Sequence, residues 1–443
     1  MSWRRLAVLA VSSCCALPSQ AYADEALHAA IEKDYQGYLA PLFEHFHRHP
    51  ELSFRETATA ALIAQELRSL GIRVTEGVGG TGVVGVLENG AGPTVMLRAD
   101  MDGLPLEEDS GLPYASTARQ VDITGDEVPV MHACGHDVHI TSLIGTARRL
   151  AADRGSWSGT VMFVAQPAEE RIGGAKAMLG DGLFRRFGVP DYALAFHVAA
   201  SEPAGKVRVE GGLNASSSDS VDITVRGIGA HGASPHKGKD PVYLAAQLVV
   251  ALQGLVSREL SPLEPGVVTV GSIHGGTKHN IIPSEVKLQL TVRADSQETR
   301  EQLLTGIRRI AEGLGRAAGL PDDLLPVVEL NGESTPPTIN DEALAARIRK
   351  AFARELGEDR LFTKQRDGMG AEDFAYFVQT EEHVPGLYFW VGGTPQEVLD
   401  AEAAGGPRVP SHHSPFFKIA PEPSITTGVE AMTAAVRELL AKP

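Results

Sequence analysis

Short apolar runs that alternate with helical segments constrain the fold of this 443-residue chain more than any other feature of its sequence. Each run lies between turn signals, as buried strands do, and segments with helical spacing such as 140–150 separate the runs. The clearest strand runs are 82–87, 94–97, 160–164 and 193–196. Strands that alternate with helices predict an α/β fold, with helices on both faces of a central, mostly parallel sheet.

The pattern changes after Gly211-Gly212, where strand and helix signals follow a different order. In chain order, the segments are a strand at 219–227, a helix at 241–256, strands at 266–273 and 285–293, a helix at 297–318 and a strand at 327–330. This βαββαβ order is the ferredoxin-like plan. We therefore predict an inserted ferredoxin-like domain at 213–330 and a first domain formed by residues 24–212 and 331–443.

Residues 1–23 have the features of a secretory signal peptide. Arg4-Arg5 is a basic start, residues 6–11 are apolar, and Ala21-Tyr22-Ala23 is a cleavage site of small residues. Lipoprotein cleavage that leaves an acylated Cys14 is the alternative. No other stretch approaches the length of a membrane helix, so we predict an exported protein, periplasmic or secreted, without a membrane span.

The charge balance argues against polyanionic partners. Asp and Glu number 56 against 40 Lys and Arg, which gives a formal net charge of −16. Nucleic acids and anionic membranes are bound by basic faces, so we predict neither as a partner.

Residues 132–139 bring together three histidines, a cysteine and an aspartate within eight positions. Thiolate sulfur, imidazole nitrogen and carboxylate oxygen are common ligands of first-row metal ions. A helix predicted to start near Asp137 would place part of the cluster at a helix N-terminus, where the pKa of a thiol falls. Cys134, the only cysteine outside the signal peptide, is therefore a metal ligand or an activated thiol, and an ordinary polar loop is the alternative.

Further polar residues follow the predicted strands. Glu169 and Glu170 come after one strand, Asp100 and Asp102 after another, and His197 after a third. Ligands of α/β folds bind at the carboxyl ends of strands, and adjacent glutamates can divide metal binding from proton transfer. Taken singly, each has a simpler interpretation: the adjacent glutamates are typical of a solvated corner, Asp102 of an Asp-Gly turn, and His197 of a buried core histidine.

Three more loops carry histidine. The loop 229–236 contains His231, the loop 274–283 contains Asn280, and His412-His413 lies near the C-terminus. Neither glycine-rich loop has the spacing of a phosphate-binding loop, so flexible hairpin loops are the simplest interpretation of their sequences.

Taken together and in order, these motifs resemble the aminoacylase, hippurate hydrolase and auxin-conjugate hydrolase family of dinuclear metallo-amidohydrolases, which is related to glutamate carboxypeptidase. The similarity covers nearly the whole mature chain, and MHACGHDVH with QPAEE at this spacing is its most specific part. The resemblance implies a catalytic α/β domain interrupted by a lid and dimerisation domain. The motifs are RADMDGLP (98–105), MHACGHDVH (131–139), QPAEE (166–170), HV (197–198), GAHGASPH (229–236), HNIIP (279–283), MGAEDF (369–374) and HSPFF (413–417).

The same resemblance implies a role for each matching residue. Glu169 would be the general base and later the acid, and Asp100 the supporting aspartate, with Asp102 as its alternative. His231 and Asn280 would reach the substrate from the lid, across the interface of a homodimer, and His231 would also be catalytic by stabilising the oxyanion. His413 is preferred to His412 because Ser414-Pro415 completes the motif. The implied ligands of two divalent ions are Cys134, which would bridge them, His136, Glu170, His197 and His413.

The implied activity is metal-dependent cleavage of the amide bond of N-acyl or N-aroyl amino acids to a carboxylic acid and a free amino acid. Zn²⁺ or Mn²⁺ suits the ligand set, and Co²⁺ or Ni²⁺ is possible. A metallo-exopeptidase or dipeptidase would use the same site on short peptides. Two competing hypotheses are a thiol hydrolase, with Cys134 as nucleophile, and a non-catalytic exported binding protein. Arg171-Ile172 departs from the family's usual glycine-rich run and leaves substrate preference open.

Overall fold

The computed structural model describes residues 20–442, with side-chain environments from Glu25 onward. Residues 1–19 of the predicted signal peptide, which include Arg4-Arg5, the apolar run and Cys14, lie outside the described residues. The signal peptide and the export of the protein therefore stay predictions.

The strands are β1 (Arg73–Val78), β2 (Gly82–Asn89), β3 (Thr94–Asp100), β4 (Arg119–Val121), β5 (Glu127–Pro129), β6 (Gly159–Gln166), β7 (Tyr192–Pro203), β8 (Val207–Arg208), β9 (Gly212–Ala215), β10 (Ser218–Arg226), β11 (Ala230–His231), β12 (Gly266–Gly275), β13 (Ile281–Ile282), β14 (Glu285–Ala294), β15 (Val327–Thr335), β16 (Thr338–Asn340) and β17 (Gly386–Thr394). The helices are α1 (Gln20–Asp34), α2 (Ala40–Arg48), α3 (Thr57–Ser69), α4 (His136–Ala152), α5 (Gly174–Gly180), α6 (Leu183–Phe187), α7 (Pro241–Gly254), α8 (Gln297–Ala317), α9 (Glu342–Glu355), α10 (Ala375–Val378), α11 (Gln396–Ala403) and α12 (Pro421–Leu439). Tyr35–Leu39 and Leu255–Glu259 are π-helical turns that continue α1 and α7.

The larger sheet has the strand order β1-β2-β6-β3-β7-β17-β8. Its four inner strands, β6, β3, β7 and β17, run parallel; β2 and β8 pair antiparallel to them, and β1 pairs antiparallel to β2. The inner strands are buried almost throughout, which is why they occur in the sequence as apolar runs without polar alternation. The predicted α/β fold with a central, mostly parallel sheet is confirmed.

Helices cover both faces of this sheet. On one face α2, α3, α4 and α12 enclose a core that contains Phe46, Leu97 and Val429. On the other face α5, α6 and α10 pack over Met96 and Met162. Helices α4 and α12 approach closely at Gly145, where a Cβ atom would lie 2.5 Å from Val429 Cγ2. The close approach fixes α4, the helix that begins in the cysteine and histidine cluster.

The second sheet has the order β12-β14-β10-β15 and is antiparallel throughout. Helices α7 and α8 pack on it around a core of their own, which includes Ile223, Leu288 and Ile307. Chain order and strand order are those of a ferredoxin-like βαββαβ unit, as predicted. Strand β15 ends at Thr335, beyond the predicted boundary at 330, and the domain boundaries stay a prediction.

Pro241–Glu259 is long and apolar enough, by these two criteria alone, to cross a membrane, and one third of the stretch is buried. Its inner side, which includes Leu244, Leu248 and Leu252, packs in the core of the second sheet. Tyr243 and Val250 on its outer side are 65% and 74% exposed. The absence of a membrane span stays a prediction.

Candidate active site

The candidate site is built around a left-handed turn at Gly135, immediately before α4. Gly135 has φ 86° immediately before α4, and a Cβ atom there would lie 2.3 Å from Val198 Cγ1, so only glycine fits. His136 is the first residue of α4, one residue earlier than the sequence predicts. Its Nδ1–H donates to the carbonyl oxygen of Asp102 at 2.8 Å, which leaves Nε2 as a free lone pair.

The five predicted metal ligands converge on this turn. Ligand atoms of Cys134, His136 and Glu170 all lie within 4.8 Å of one another. His197 Nε2 lies 3.3 Å from Cys134 Sγ, and His413 Nε2 lies 3.3 Å from Glu170 Oε1. His197 Nδ1–H donates to the Val198 carbonyl oxygen at 2.7 Å, so its Nε2 also offers a lone pair. His197 lies within β7, which runs on to Pro203, and not at the predicted strand end.

The chemistry of these donors fits divalent cations. His136 Nε2 is buried and has no hydrogen-bond partner among the described residues, and the buried Glu170 Oε1 has only the 3.3 Å contact with His413 Nε2. Buried polar atoms without a partner cost free energy, and a cation between them would remove that cost. Sulfur, nitrogen and carboxylate oxygen together suit Zn²⁺ and tolerate the neighbouring first-row ions.

The Cys134 thiol is poorly placed to act alone as a nucleophile. Burial, and then the carboxylates of Glu170 and Glu169, raise its pKa well above the usual value. A nucleophilic cysteine needs the opposite environment, with nearby positive charge. A cation in the site would supply that charge and favour the thiolate as a ligand.

Glu169 lies beside the ligands, and its side chain forms no ion pair with a lysine or arginine among residues 25–442. Its Oε2 is 3.8 Å from His136 Nε2, and its side chain is almost fully buried. Burial, followed by the carboxylates of Glu372 and Glu170, raises the pKa of Glu169 well above its usual value. A raised carboxyl pKa is what a group that both takes and returns a proton near neutral pH requires.

Two buried carboxylates hold the turn that carries the glutamates. Asp102 accepts the N–H groups of Glu169 and Glu170 at 3.0 and 3.1 Å. Glu56 accepts the N–H of Ala168 at 2.8 Å, where the backbone is left-handed with φ 50°. Strained backbone persists only where its surroundings hold it, and it gathers at functional sites. Sequence reasoning missed Glu56, because nothing local connects it to a turn more than 100 residues away.

The two aspartates have different tasks. Asp100 accepts His139 Nδ1–H at 2.5 Å and Arg98 Nη1–H at 2.6 Å. Burial opposes ionisation of Asp100, but Arg98 and then His136 outweigh it, so its pKa lies well below the usual value. His139 Nε2 accepts the Val198 N–H, so both nitrogens of this histidine are used in positioning. Asp100 thus acts on the site through His139 and Arg98. Asp102 instead orients Glu169, Glu170 and His136 directly.

Sequence reasoning also missed a cluster of buried carboxylates next to Glu169. Arg98 is fully buried and pairs with Glu372 Oε1 at 2.7 Å and Asp373 Oδ1 at 3.1 Å, both from the MGAEDF motif. Burial, opposed by Arg98 and reinforced by Glu372, raises the pKa of Asp373 to about 7. His412 lies beside Cys134 and His197, and its Nε2 accepts the Ala200 N–H at 3.1 Å. Both histidines of the C-terminal pair are therefore at the site.

The structure does not bring the predicted lid residues to the site. His231 on β11 is exposed, and the carbonyl oxygen of Asn280 accepts the N–H of Gly232 at 2.8 Å. His231 and Asn280 are close to each other, but within one chain neither lines the cavity that contains Cys134 and Glu169.

That cavity has a volume of about 520 Å³ and extends from the ligands to the second sheet. Four cationic side chains line it: Arg208, Arg293, Lys364 and Arg366. Arg208, Lys364 and Arg366 form ion pairs with carboxylates of the chain. Arg293, on β14, forms no ion pair with any described residue and is the cavity cation left for an anionic ligand.

His47 stabilises the N-terminus of α4 through a contact with Asp137. Its Nδ1 lies 2.7 Å from Asp137 Oδ2 and its Nε2 lies 3.1 Å from Glu108 Oε1. Burial opposes the imidazolium, but both carboxylates outweigh it and raise the pKa of His47 to about 9. A raised pKa gives stability that is complete below the unfolded pKa of about 6.5 and is lost as the pH rises through 9.

We therefore expect His47→Gln to cost about 3 kcal/mol more unfolding free energy at pH 6 than at pH 10. Denaturant titrations of both proteins at the two pH values measure this difference. An equal cost at both pH values would show that His47 is not held as the imidazolium.

Comparisons with known proteins agree with this geometry. Residues 96–438 match the model of peptidase family M20/M25/M40. The hippurate hydrolase of Campylobacter jejuni is 39% identical over 79% of this chain and 87% of its own. Thermostable carboxypeptidase 2 of Saccharolobus solfataricus is 35% identical over 81% of this chain and 87% of its own. The crystal structure of YxeP of Bacillus subtilis, described as a dinuclear metal binding peptidase from the M20 family, has a TM-score of 0.72 and 28% identity, covering 94% of this chain and 99% of that one.

Proposed function

Because the chain belongs to peptidase family M20/M25/M40, whose members among its relatives are hydrolases, we propose that it cleaves the amide bond of N-acyl amino acids with two divalent metal ions. The observation that carries this proposal is the convergence of the Cys134, His136 and Glu170 ligand atoms, with Glu169 beside them. The hippurate hydrolase among the relatives supports an acylated amino acid as the substrate.

The ligand set would hold Zn²⁺ or Mn²⁺, with Co²⁺ or Ni²⁺ as further candidates, and such ions lower the pKa of water and polarise a carbonyl group. Glu169 takes a proton from the attacking water and then gives it to the departing amine. Asp102 holds the Glu169 backbone in the orientation that this transfer requires. The products are a carboxylic acid and a free amino acid.

Arg293 gives the substrate its orientation. It is the cavity cation without an ion pair among the described residues, so the carboxylate of the amino acid binds there. The scissile carbonyl then lies at the ligands, between the second sheet and the first. A substrate without that carboxylate loses this contact and is hydrolysed more slowly.

The site is completed in a homodimer formed through the second sheet. Strand β12 is at the edge of that sheet, and α7 exposes Tyr243 and Val250 beside it. Exposed apolar surface and an unpaired strand edge are features that a second copy can cover. His231 and Asn280 then enter the partner's cavity, which explains why they do not line their own.

Co-production of His231→Ala and Glu169→Gln chains tests this composite site. Each variant alone has low activity, whereas the mixture recovers about a quarter of the wild-type rate, because half of random dimers are mixed and each mixed dimer has one complete site. Hydrolysis assays of the separate and mixed proteins, with their masses in solution, measure it. A mixture no more active than its parts would place His231 outside the partner's site.

We also propose that the protein is exported, as the sequence of residues 1–23 predicts. N-terminal sequencing of protein recovered from the periplasm or medium should begin at Asp24. An acylated N-terminal Cys14 would support the lipoprotein alternative, and an intact Met1 on cytoplasmic protein would contradict export.

Amino acid release from a substrate panel tests the proposed activity. The purified mature protein is offered N-acetyl, N-benzoyl and longer N-acyl amino acids beside dipeptides, with and without a chelator. Chelator-sensitive cleavage of the N-acyl substrates is expected. Cleavage of dipeptides alone would identify a metallo-exopeptidase that uses the same site, and activity that survives metal removal would contradict the proposal.

A further inference from the structure

Strand β15 of the second sheet contains a β-bulge at residues 331–333. On the neighbouring strand β10, Val221 pairs with Leu330 and Asp219 pairs with Ser334, so one residue of β10 lies opposite three of β15. Bulges redirect the groups of a strand and are frequent beside active sites. The residues of this bulge are therefore available for contacts outside the second sheet.

Two residues of the bulge bond to the segment that follows the predicted ligand Glu170. The Glu333 carboxylate pairs with the guanidinium of Arg171, and the Gly332 carbonyl oxygen accepts a hydrogen bond from Lys176 Nζ. The side chains of Arg171 and Glu333 are 37% and 38% exposed, so solvent screens the pair and it can break and re-form. The bulge thus joins the second sheet reversibly to the glutamates of the site.

Residues 168–174, here called the glutamate turn, connect Arg171 to the proposed base. The N–H of Ile172 donates to the carbonyl oxygen of Glu169 at 2.6 Å and closes the turn around Arg171. Ala168 and Ile172 both have left-handed backbone, with φ 50°, and strained backbone persists only where its surroundings hold it. A displacement of Arg171 therefore displaces Glu169 as well.

The second sheet also carries Arg293, which binds the substrate's carboxylate under the proposed function. Strand β10 lies between β14 and β15, and its residue Asp219 pairs with the neighbours in sequence of both Arg293 and Glu333. Arg293 and the bulge are therefore at the same level of one sheet. The contact between the bulge and the glutamate turn sets the distance from Arg293 to Glu169.

We propose that Arg171 and Glu333 are positioning residues, whose ion pair holds the second sheet where Arg293 and Glu169 act on the same substrate molecule. The inference rests on the proposed function and adds to it the contact that aligns the carboxylate site with the base. It also gives a role to Arg171, at which the sequence departs from the family's usual glycine-rich run. Misplacement of reacting groups by about 1 Å can cost about a hundredfold in rate, so a weak contact can have a large kinetic effect.

Reversal of the two charges, singly and together, tests the inference. Arg171→Glu and Glu333→Arg each create a pair of like charges, and each is expected to lower kcat/KM for an N-acyl amino acid about tenfold with metal content unchanged. The double variant restores an attractive pair and should return kcat/KM to within about threefold of the wild type. A merely structural role of either side chain would not be rescued by the exchange.

The corresponding N-acyl amine, which lacks the carboxylate, gives a second kinetic measurement. The wild type should cleave the N-acyl amino acid faster than this amine, because only the former reaches Arg293. In each single variant this ratio should fall about threefold, and it should recover in the double variant.

Hydrogen exchange in the glutamate turn measures the same contact without catalysis. Glu333→Arg leaves the sequence of residues 168–174 unchanged, so exchange there that is about threefold faster would report the loss of the contact. Glu88→Arg is the matched control. It reverses one charge of the exposed pair of Arg73 and Glu88, 2.9 Å apart between β1 and β2, and should change neither exchange in the turn nor the kinetics.

Wild-type kinetics and exchange in both single variants, or a double variant no more active than they are, would overturn the inference and leave the proposed function standing. If the wild type cleaves no N-acyl amino acid, the proposed function fails. In that case faster exchange in Glu333→Arg would still support the contact, and unchanged exchange would overturn the contact as well.

Discussion

Replacement of Glu169 by glutamine is expected to lower kcat by about 10²- to 10⁴-fold, the usual contribution of a positioned acid–base group, while metal content stays near that of the wild type. The amide keeps the shape of the side chain but cannot accept a proton. The Glu169 backbone stays on Asp102, so the turn and the ligand Glu170 are undisturbed. Steady-state kinetics with metal analysis of the same preparation measure both quantities.

Glu107→Gln is the matched control for this substitution. Glu107 is exposed and outside the site, so its loss should change neither kcat nor metal content. Full activity in Glu169→Gln would contradict the assignment of the base. Loss of metal in that variant would instead make Glu169 a ligand.

Replacement of Cys134 by serine is expected to remove at least one of two bound metal ions per chain and to lower kcat at least a hundredfold. The sulfur lies between His197 Nε2 and the carboxylate of Glu170, where a neutral hydroxyl cannot replace a thiolate. Metal analysis after dialysis and the rate with excess added metal measure the two effects.

The Cys134→Ser variant also separates the metal mechanism from the thiol mechanism. Chelator-treated wild-type protein is the reference, because it lacks metal but keeps the thiol. Inactivity of both proteins is expected. A variant that binds two ions yet is inactive, beside a wild type that tolerates the chelator, would identify Cys134 as a nucleophile.

The sequence predicted those features that local patterns carry. Apolar runs without alternation mark strands buried on both faces, so the central sheet and the ferredoxin-like unit were predictable. The ligands Cys134, His136 and Glu170 were recognisable because each occurs in a short motif. The comparisons confirm the family and a metal-binding site, whereas the individual residue roles stay predictions.

The features that the sequence did not predict depend on contacts between distant parts of the chain. Arg98 and Glu372 are 274 positions apart, and no local periodicity links them. The predicted strand end at His197 was wrong because β17 pairs with β7 as far as Pro203 and prolongs it.

Metal titration of the metal-free protein, with release of amino acid from an N-acyl amino acid as the signal, shows whether hydrolysis depends on two bound metal ions. We expect negligible hydrolysis without metal and a rate that rises to a plateau near two Zn²⁺ or Mn²⁺ ions per chain. Full activity in the metal-free protein, or saturation with metal without cleavage of N-acyl amino acids, would show that the chain is not a metal-dependent hydrolase of these substrates.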